Sequence, residues 1–200
     1  MSAASSARPR IELPIFPLGA VLFPQGVLPL KVFEQRYLDM TRDCLRDNAP
    51  FGVCAIREGQ EVGVAALPEE TGCTAVIASW DMPHLGLFQL QARGETIFRI
   101  LEQWVQPNGL VRATVELAAP QPEVPIPHQR RLCAQLLEKL IERLGASRFP
   151  APIRLDDAGW VSFRLAEILP LTLESRQHVL ETADPLARLD TLHSYLERQG

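Results

Sequence analysis

The 200-residue sequence predicts an α+β protein, in which an N-terminal antiparallel β-barrel-like domain is followed by a C-terminal helical bundle. Three observations carry this. From Leu13 to Leu30 there are 18 residues without a formal charge, but prolines at 14, 17, 24 and 29 divide them. Each proline removes a backbone donor that lipid could not replace, so the stretch is not a membrane span and reads as short buried strands and turns. Between Phe88 and Leu117 apolar and polar residues alternate, as in half-buried strands. Beyond a proline-rich segment the apolar period becomes that of helices.

Residues 1–10, MSAASSARPR, are small and polar and lack the apolar region of a secretory signal. They read as a flexible tail, and the protein is expected to be cytoplasmic. The barrel-like domain is expected over 11–118. Glu34 to Asn48 places Tyr37, Leu38, Cys44 and Leu45 on one helical face, and Asn48-Ala49-Pro50 stops that helix. Phe51 to Ile56 reads as a strand, Glu58-Gly59 as a turn, Val62 to Leu67 as a second apolar run and 68–72, PEETG, as a loop. Cys73 to Trp80 reads as a buried strand. Phe88, Leu90 and Ala92 alternate with Gln89, Gln91 and Arg93, and a further strand is expected from Thr96 to Trp104, after Gly94. Pro107-Asn108-Gly109 is a hairpin turn, since Asn-Gly supplies positive φ, and Val111 to Leu117 completes the pair. About six short strands of this kind suit a closed or nearly closed barrel.

Residues 119–127 contain prolines 120, 122, 125 and 127 and are expected to form an extended linker. Over 128–200 the bundle follows. Leu132, Leu136, Leu140 and Leu144 share a helical face with Cys133, Leu137 and Ile141, and Gly145 ends that helix. Asp156 or Asp157 caps a helix through Ile168, Thr172 one through Glu181, and Asp184-Pro185 opens the last, with Leu186, Leu189, Leu192 and Leu196 inward.

Net charge is −4, and 18 of the 20 basic residues are arginine, which gives no general attraction to nucleic acid or anionic membrane. The cysteines at 44, 54, 73 and 133 lack CxxC spacing and sit in apolar patterns, favouring buried thiols over disulfides or a metal. Neither lysine follows a glycine, so there is no phosphate-binding GxxxxGK[ST] loop. Lys31 and Lys139 read as surface charges rather than as half of a serine-lysine dyad, and no GxSxG exists. The histidines at 84, 128, 178 and 193 have no ligand spacing. Catalysis, metal and cofactor are therefore not expected.

Glu34 and Arg36 read chiefly as a helix start, with Glu34 at the positive end of the helix dipole and Tyr37 anchored in the core. Arg99 should point away from a core that takes Phe98 and Ile100. The residues most open to binding are Trp80, Met82, Pro83 and His84, in a loop between strands, and Trp104 near a strand end, since Trp and Met make adaptable apolar contacts.

The order L-P-I-F-P-L-G, then V-L-F-P, then L-P-L-x-V-F-E-x-R-Y over 13–37 resembles the opening of the Lon protease N-terminal domain family. The likeness continues through Phe51-Gly52-Val53, Gly72-Cys73-Thr74-Ala75-Val76-Ile77, Gly94 and Phe98-Arg99-Ile100. Gln35 stands where the family usually has proline, and Glu95-Thr96-Ile97 replaces a more basic run. The resemblance implies a substrate-recognition module in a stand-alone form without ATPase or protease domains. It implies no enzymatic activity and partners that are unfolded or exposed protein segments, with a separate protease or chaperone as a further partner. The barrel of that family is similar to PUA-type barrels, so RNA binding is the alternative, against which the acidic balance and scarce lysines argue.

Overall fold

The computed structural model describes residues 8–198 and contains six strands followed by four helices, with one further helix between the second and third strands. The strands are β1 (Arg10–Leu18), β2 (Val27–Val32), β3 (Phe51–Glu58), β4 (Leu67–His84), β5 (Leu87–Val105) and β6 (Val111–Leu117). The helices are α1 (Gln35–Asp47), α2 (Arg131–Leu144), α3 (Ala158–Ile168), α4 (Leu173–Glu181) and α5 (Pro185–Glu197). Residues 1–7 of the expected tail lie outside the described residues, and Arg10 already belongs to β1.

Two compact units result, one of Met1–Leu22 with Val27–Pro120 and the other of Phe23–Gly26 with Gln121–Gly200. In the first, the strand order is β2-β5-β4-β3-β1-β6, and pairing of β5 with β6 closes the last five into a ring. Every pairing is antiparallel except β1 with β3, which run parallel because β2 and α1 intervene between them in the chain. The ring carries two cores. Phe16, Leu38, Phe51, Val53, Cys73 and Leu90 belong to one, which α1 covers and where Tyr37 stacks on Phe16 with centroids 4.0 Å apart. Ile15 and Cys54, the sequence neighbours of Phe16 and Val53 on the opposite strand face, form the other with Phe98, Val111, Ala113 and Val115.

Long-range pairing overrides several local signals. The 68–72 segment is part of β4 and not a loop, because Pro68 pairs with Ile56 and Gly72 with Cys54 across a hairpin. The loop instead occupies 59–66, turning on Gly59 and Gly63 with φ of 104 and 97 degrees, and leaves Val62 and Val64 exposed. Gly94 does not separate two strands. It lies within β5 beside a register shift, where the Thr74 hydroxyl accepts the Thr96 N–H at 3.0 Å. The extra residue flips which side chains point inward, so Leu90 and Ala92 serve one core and Phe98 the other. At the 107–109 turn only Gly109 has positive φ, at 82 degrees. Gly109 N–H donates to the Gln106 carbonyl, and Gln106 N–H to that of Leu110, both at 2.8 Å, which is a three-residue hairpin loop with a glycine bulge.

In the second unit the helix signals are local and their residues do what their types suggest. The Asp157 carboxylate accepts from Gly159 and Trp160 N–H, the Thr172 hydroxyl from Ser175 N–H and the Asp184 carboxylate from Leu186 N–H. Gly145, with φ of 92 degrees, follows α2. On α2 the line Cys133, Leu137 and Ile141 is buried, whereas Leu132 and Leu144 of the expected face are exposed. The segment from Gln121 is extended but fastened, since Gln121 Nε2 donates to the Ala183 carbonyl at 3.1 Å and Val124 N–H to Asp157 at 3.2 Å.

Phe23–Gly26 lies within the stretch expected to be wholly barrel, yet it is built into the helical unit. Phe23 packs on Phe163 with ring centroids 5.4 Å apart, and Arg164 Nη2 donates to the Pro24 carbonyl at 2.7 Å. The Glu167 carboxylate lies so close over Gly26 that a Cβ there would come within 2.1 Å of it.

Candidate functional site

Trp80, Met82 and His84 do not sit in a loop. They end β4, where Trp80 pairs with Leu90 and His84 with Leu87, and the chain turns at Leu85-Gly86. Pro83 cannot donate to the ladder, and the register shifts between Asp81 and His84, which bends this arm without ending it. Trp80 is 53% exposed and meets Phe88 edge-on at 5.6 Å. Met82 is partly buried against the α1-covered core, His84 is exposed, and Leu85 is almost wholly so.

Trp104 stands at the other end of β5, opposite Arg112 of β6, and is 36% exposed. The structure therefore brings Trp80, Met82, Pro83 and His84 together at one strand end and leaves Trp104 apart from them. Its surroundings escaped the sequence reading. Leu101 and Val105 are exposed beside it, and Val64 lies across a hollow of about 540 Å³ from Val105 and Pro107. The local signal was present: Leu101 to Val105, LEQWV, carries apolar residues without one consistent wet face.

Glu34 and Arg36 form the base of that hollow. Arg36 is buried, its Nη2 lies 3.0 Å from Glu34 Oε2, and its Nη1 donates to the Gly109 carbonyl at 3.1 Å. The guanidinium lies 4.6 Å from the Tyr37 ring centroid, and Gly63 N–H donates to Glu34 at 3.3 Å. The pair thus ties α1, the β5–β6 turn and the 59–66 loop together, a structural role. Burial raises the Tyr37 hydroxyl pKa despite the Arg36 charge beside it.

All four cysteines are buried and none is in a disulfide, and burial pushes Cys44 and Cys133 up to about 11, away from thiolate reactivity. Among the described residues no three His, Cys, Asp or Glu side chains converge on a metal-sized site, and no helix is long and apolar enough to cross a membrane. Lys31 and Lys139 are both exposed.

The helical unit holds a buried charge cluster instead. Arg188 is fully buried, with its guanidinium 4.0 Å from the Phe163 ring centroid. It donates from Nε to Ser162 Oγ at 3.0 Å, from Nη1 to the Thr182 carbonyl at 3.0 Å and from Nη2 to Gln121 Oε1 at 2.8 Å. Burial lowers its pKa to about 10, with Asp157 and Asp184 pulling the other way. Fully buried and committed to three acceptors on different elements, it is closed to a ligand.

The ATP-dependent protease La (LON) substrate-binding domain model matches residues 12–198. Lon protease of Anaeromyxobacter dehalogenans (strain 2CP-C) is 27% identical over 196 residues, and Lon protease 2 of Myxococcus xanthus 28% over 196. The match covers 94% of this chain in both cases but only 23% and 24% of those relatives, so the chain spans about a quarter of their length. Among solved structures, a Lon N-terminal domain protein from Xanthomonas campestris is 36% identical with a TM-score of 0.79, covering 92% of this chain and 98% of that one. The N-terminal domain of a Mycobacterium avium complex Lon protease shares the fold, with a TM-score of 0.63 over 92% of this chain and 97% of that chain at 17% identity. A family model that spans nearly all the described residues, on a six-stranded sheet followed by helices, shows that the chain belongs to the LON substrate-binding domain family.

Proposed function

We propose that this chain is a non-catalytic recognition module that binds unfolded or exposed segments of other proteins. The observation that carries this is the apolar surface of the barrel unit at the two ends of β5, where Trp80 and Leu85 at one end and Leu101, Trp104 and Val105 at the other face solvent. Such side chains cost the free protein solubility and suit a partner that brings apolar surface of its own. Trp80, Met82, His84 and Trp104 are the proposed client contacts, and family membership supports the same reading. The module acts as an adaptor for a separate protease or chaperone, or as a holdase, in the cytoplasm, without membrane or nucleic-acid partners. It neither hydrolyses ATP nor cleaves its clients.

The test is binding of the full chain to a reduced, carboxymethylated protein that cannot refold, followed by fluorescence anisotropy, with the native form of the same protein as control. Binding to the unfolded form alone is expected. No binding to either form overturns the proposal. The RNA alternative predicts instead an affinity for structured RNA that survives physiological salt, which a net charge of −4 disfavours.

A further inference from the structure

We infer that the C-terminal part of β5 is a strand-addition edge, and that clients bind there as an extended segment hydrogen-bonded through their own backbone. This rests on the reading that the module binds unfolded protein segments, and names how one of its surfaces does so. The pairing of β4 with β5 stops at Thr71 opposite Arg99. Beyond that point β4 follows β3 alone, with Pro68 opposite Ile56 and Leu67 opposite Glu58, while β5 follows β6 alone as far as Val105. The ring is therefore parted along one seam. Two hollows lie along it, one of about 310 Å³ between Arg57, Pro68 and Glu70 and residues 99–103, the other of about 540 Å³ between 63–65 and 105–107. Both border the same edge of β5, end to end.

The backbone groups that face the seam follow from the turn. The hydrogen bond from Gln106 N–H to the Leu110 carbonyl makes residues 106 and 110 a bonded pair. Antiparallel pairs alternate, so Val105 with Val111 and Gln103 with Ala113 are non-bonded pairs. The N–H and C=O of Gln103 and Val105 hence point away from β6, into the seam, and no hydrogen bond to another described strand or loop takes them up. Val105 is 59% exposed, with Leu101 and Trp104 exposed beside it.

Exposed edges are normally guarded by lysine or proline. Residues 101–105, LEQWV, contain neither, and Glu102 is their one charge. An extended peptide would supply the missing donors and acceptors and lay alternate side chains against Leu101 and Val105, the mode by which sheet edges capture peptides. The charges at the seam, Arg57 and Arg99 against Glu70 and Glu102, balance, so they select no sequence, and backbone recognition is correspondingly tolerant of sequence. A second copy is a poorer occupant. Five residues paired edge to edge bury on the order of a few hundred Å², below the roughly 1,000 Å² of a stable interface.

The experiment uses the full chain and a fluorescein-labelled ten-residue peptide of alternating Val and Thr flanked by lysines. Its counterpart is methylated at the six central amides, which keeps the side chains and removes the donors. The unmethylated peptide should bind, slow amide exchange at Gln103 and Val105, and lose about tenfold or more in affinity on methylation. Gln103→Pro and, as a gatekeeper that leaves the backbone intact, Val105→Lys should each weaken it by about tenfold. Equal binding of both peptides, or protection confined to other amides, overturns strand addition. So does dimerisation that protects Gln103 and Val105 without peptide. If the carboxymethylated protein binds and the peptide does not, strand addition fails alone; if neither binds, the broader proposal fails with it.

Discussion

In the barrel unit two clusters of apolar side chains dominate the interior and the buried polar groups among the described residues are two small hydroxyls, Thr41 and Thr74, and one guanidinium, Arg36, whereas in the helical unit two guanidiniums, Arg164 and Arg188, are fully buried together with Ser162 and Gln177. The difference follows from where backbone carbonyls find donors. In the ring of strands most are met by neighbouring strands, and the interior can be apolar. Helices satisfy themselves internally, but the turns between them leave carbonyls that no neighbouring backbone reaches. Guanidiniums reach them: Arg188 the carbonyl of Thr182 and Arg176 that of Leu169, while Arg164 serves the carbonyl of Pro24 in the 23–26 segment that joins this unit. The barrel unit uses this device once, where Arg36 meets Gly109 at a turn. Geometric fit is thus the vulnerable property of the first unit, and polar saturation that of the second.

The largest expected effect lies in the second unit. Arg188→Met leaves the Thr182 carbonyl, Ser162 and Gln121 without their donor, and should lower stability by about 3–5 kcal/mol in urea unfolding. Arg188→Lys should recover only part, because one ammonium cannot fork to three acceptors on different elements. A change below about 1 kcal/mol in Arg188→Met would dissolve the contrast between the units.

In the first unit the comparable break is one of volume. A Cβ on Gly72 would lie 2.5 Å from the Val53 carbonyl oxygen and 2.7 Å from Phe98 Cζ, and backbone cannot swing aside as a side chain can. Gly72→Ala should therefore cost about 2–3 kcal/mol although it adds only a methyl group. A neutral result would mean that the barrel core yields more readily than its packing suggests.

Glu167 sharpens the comparison through pH. Burial raises its carboxyl to about 7, with Arg164 and Arg176 opposing, while Arg164 Nη2 lies 2.9 Å from it. A raised acid pKa means that the folded state binds more protons than the unfolded state between about 4.5 and 7, so this group lowers stability as pH rises through that window. The side chain is 30% exposed, and solvent screening reduces the effect to about 1 kcal/mol. Glu167→Gln should flatten that fall in a series of denaturation curves from pH 4.5 to 8. If stability instead climbs across the window through Glu167, its attraction to the two arginines outweighs its burial.

The smallest effects should come from the exposed surface. Trp80→Ala and Trp104→Ala should each cost less than about 1 kcal/mol. Losses near 3 kcal/mol would place these tryptophans in the core and remove them from the proposed client surface.

What the sequence by itself determined is whatever local chemistry decides. The caps Asp157, Thr172 and Asp184, the stop at Gly145 and the limits of α1 were legible within a few residues, because a cap hydrogen bond spans only two or three positions. So was the change from strand to helix after the prolines of 119–127. Trp80 and Trp104 were legible as large apolar side chains near strand ends, and their separation, one on the β4 arm and one at the far end of β5, was not. Only the tertiary structure decided that 68–72 is strand, that β5 runs unbroken through Gly94, that β1 lies parallel to β3, that Phe23–Gly26 joins the helical unit and that a seam opens beside Leu101 to Val105. Each is a pairing between residues far apart in the chain. A strand's register is settled by the partner it meets, and the local pattern is blind to which partner that is.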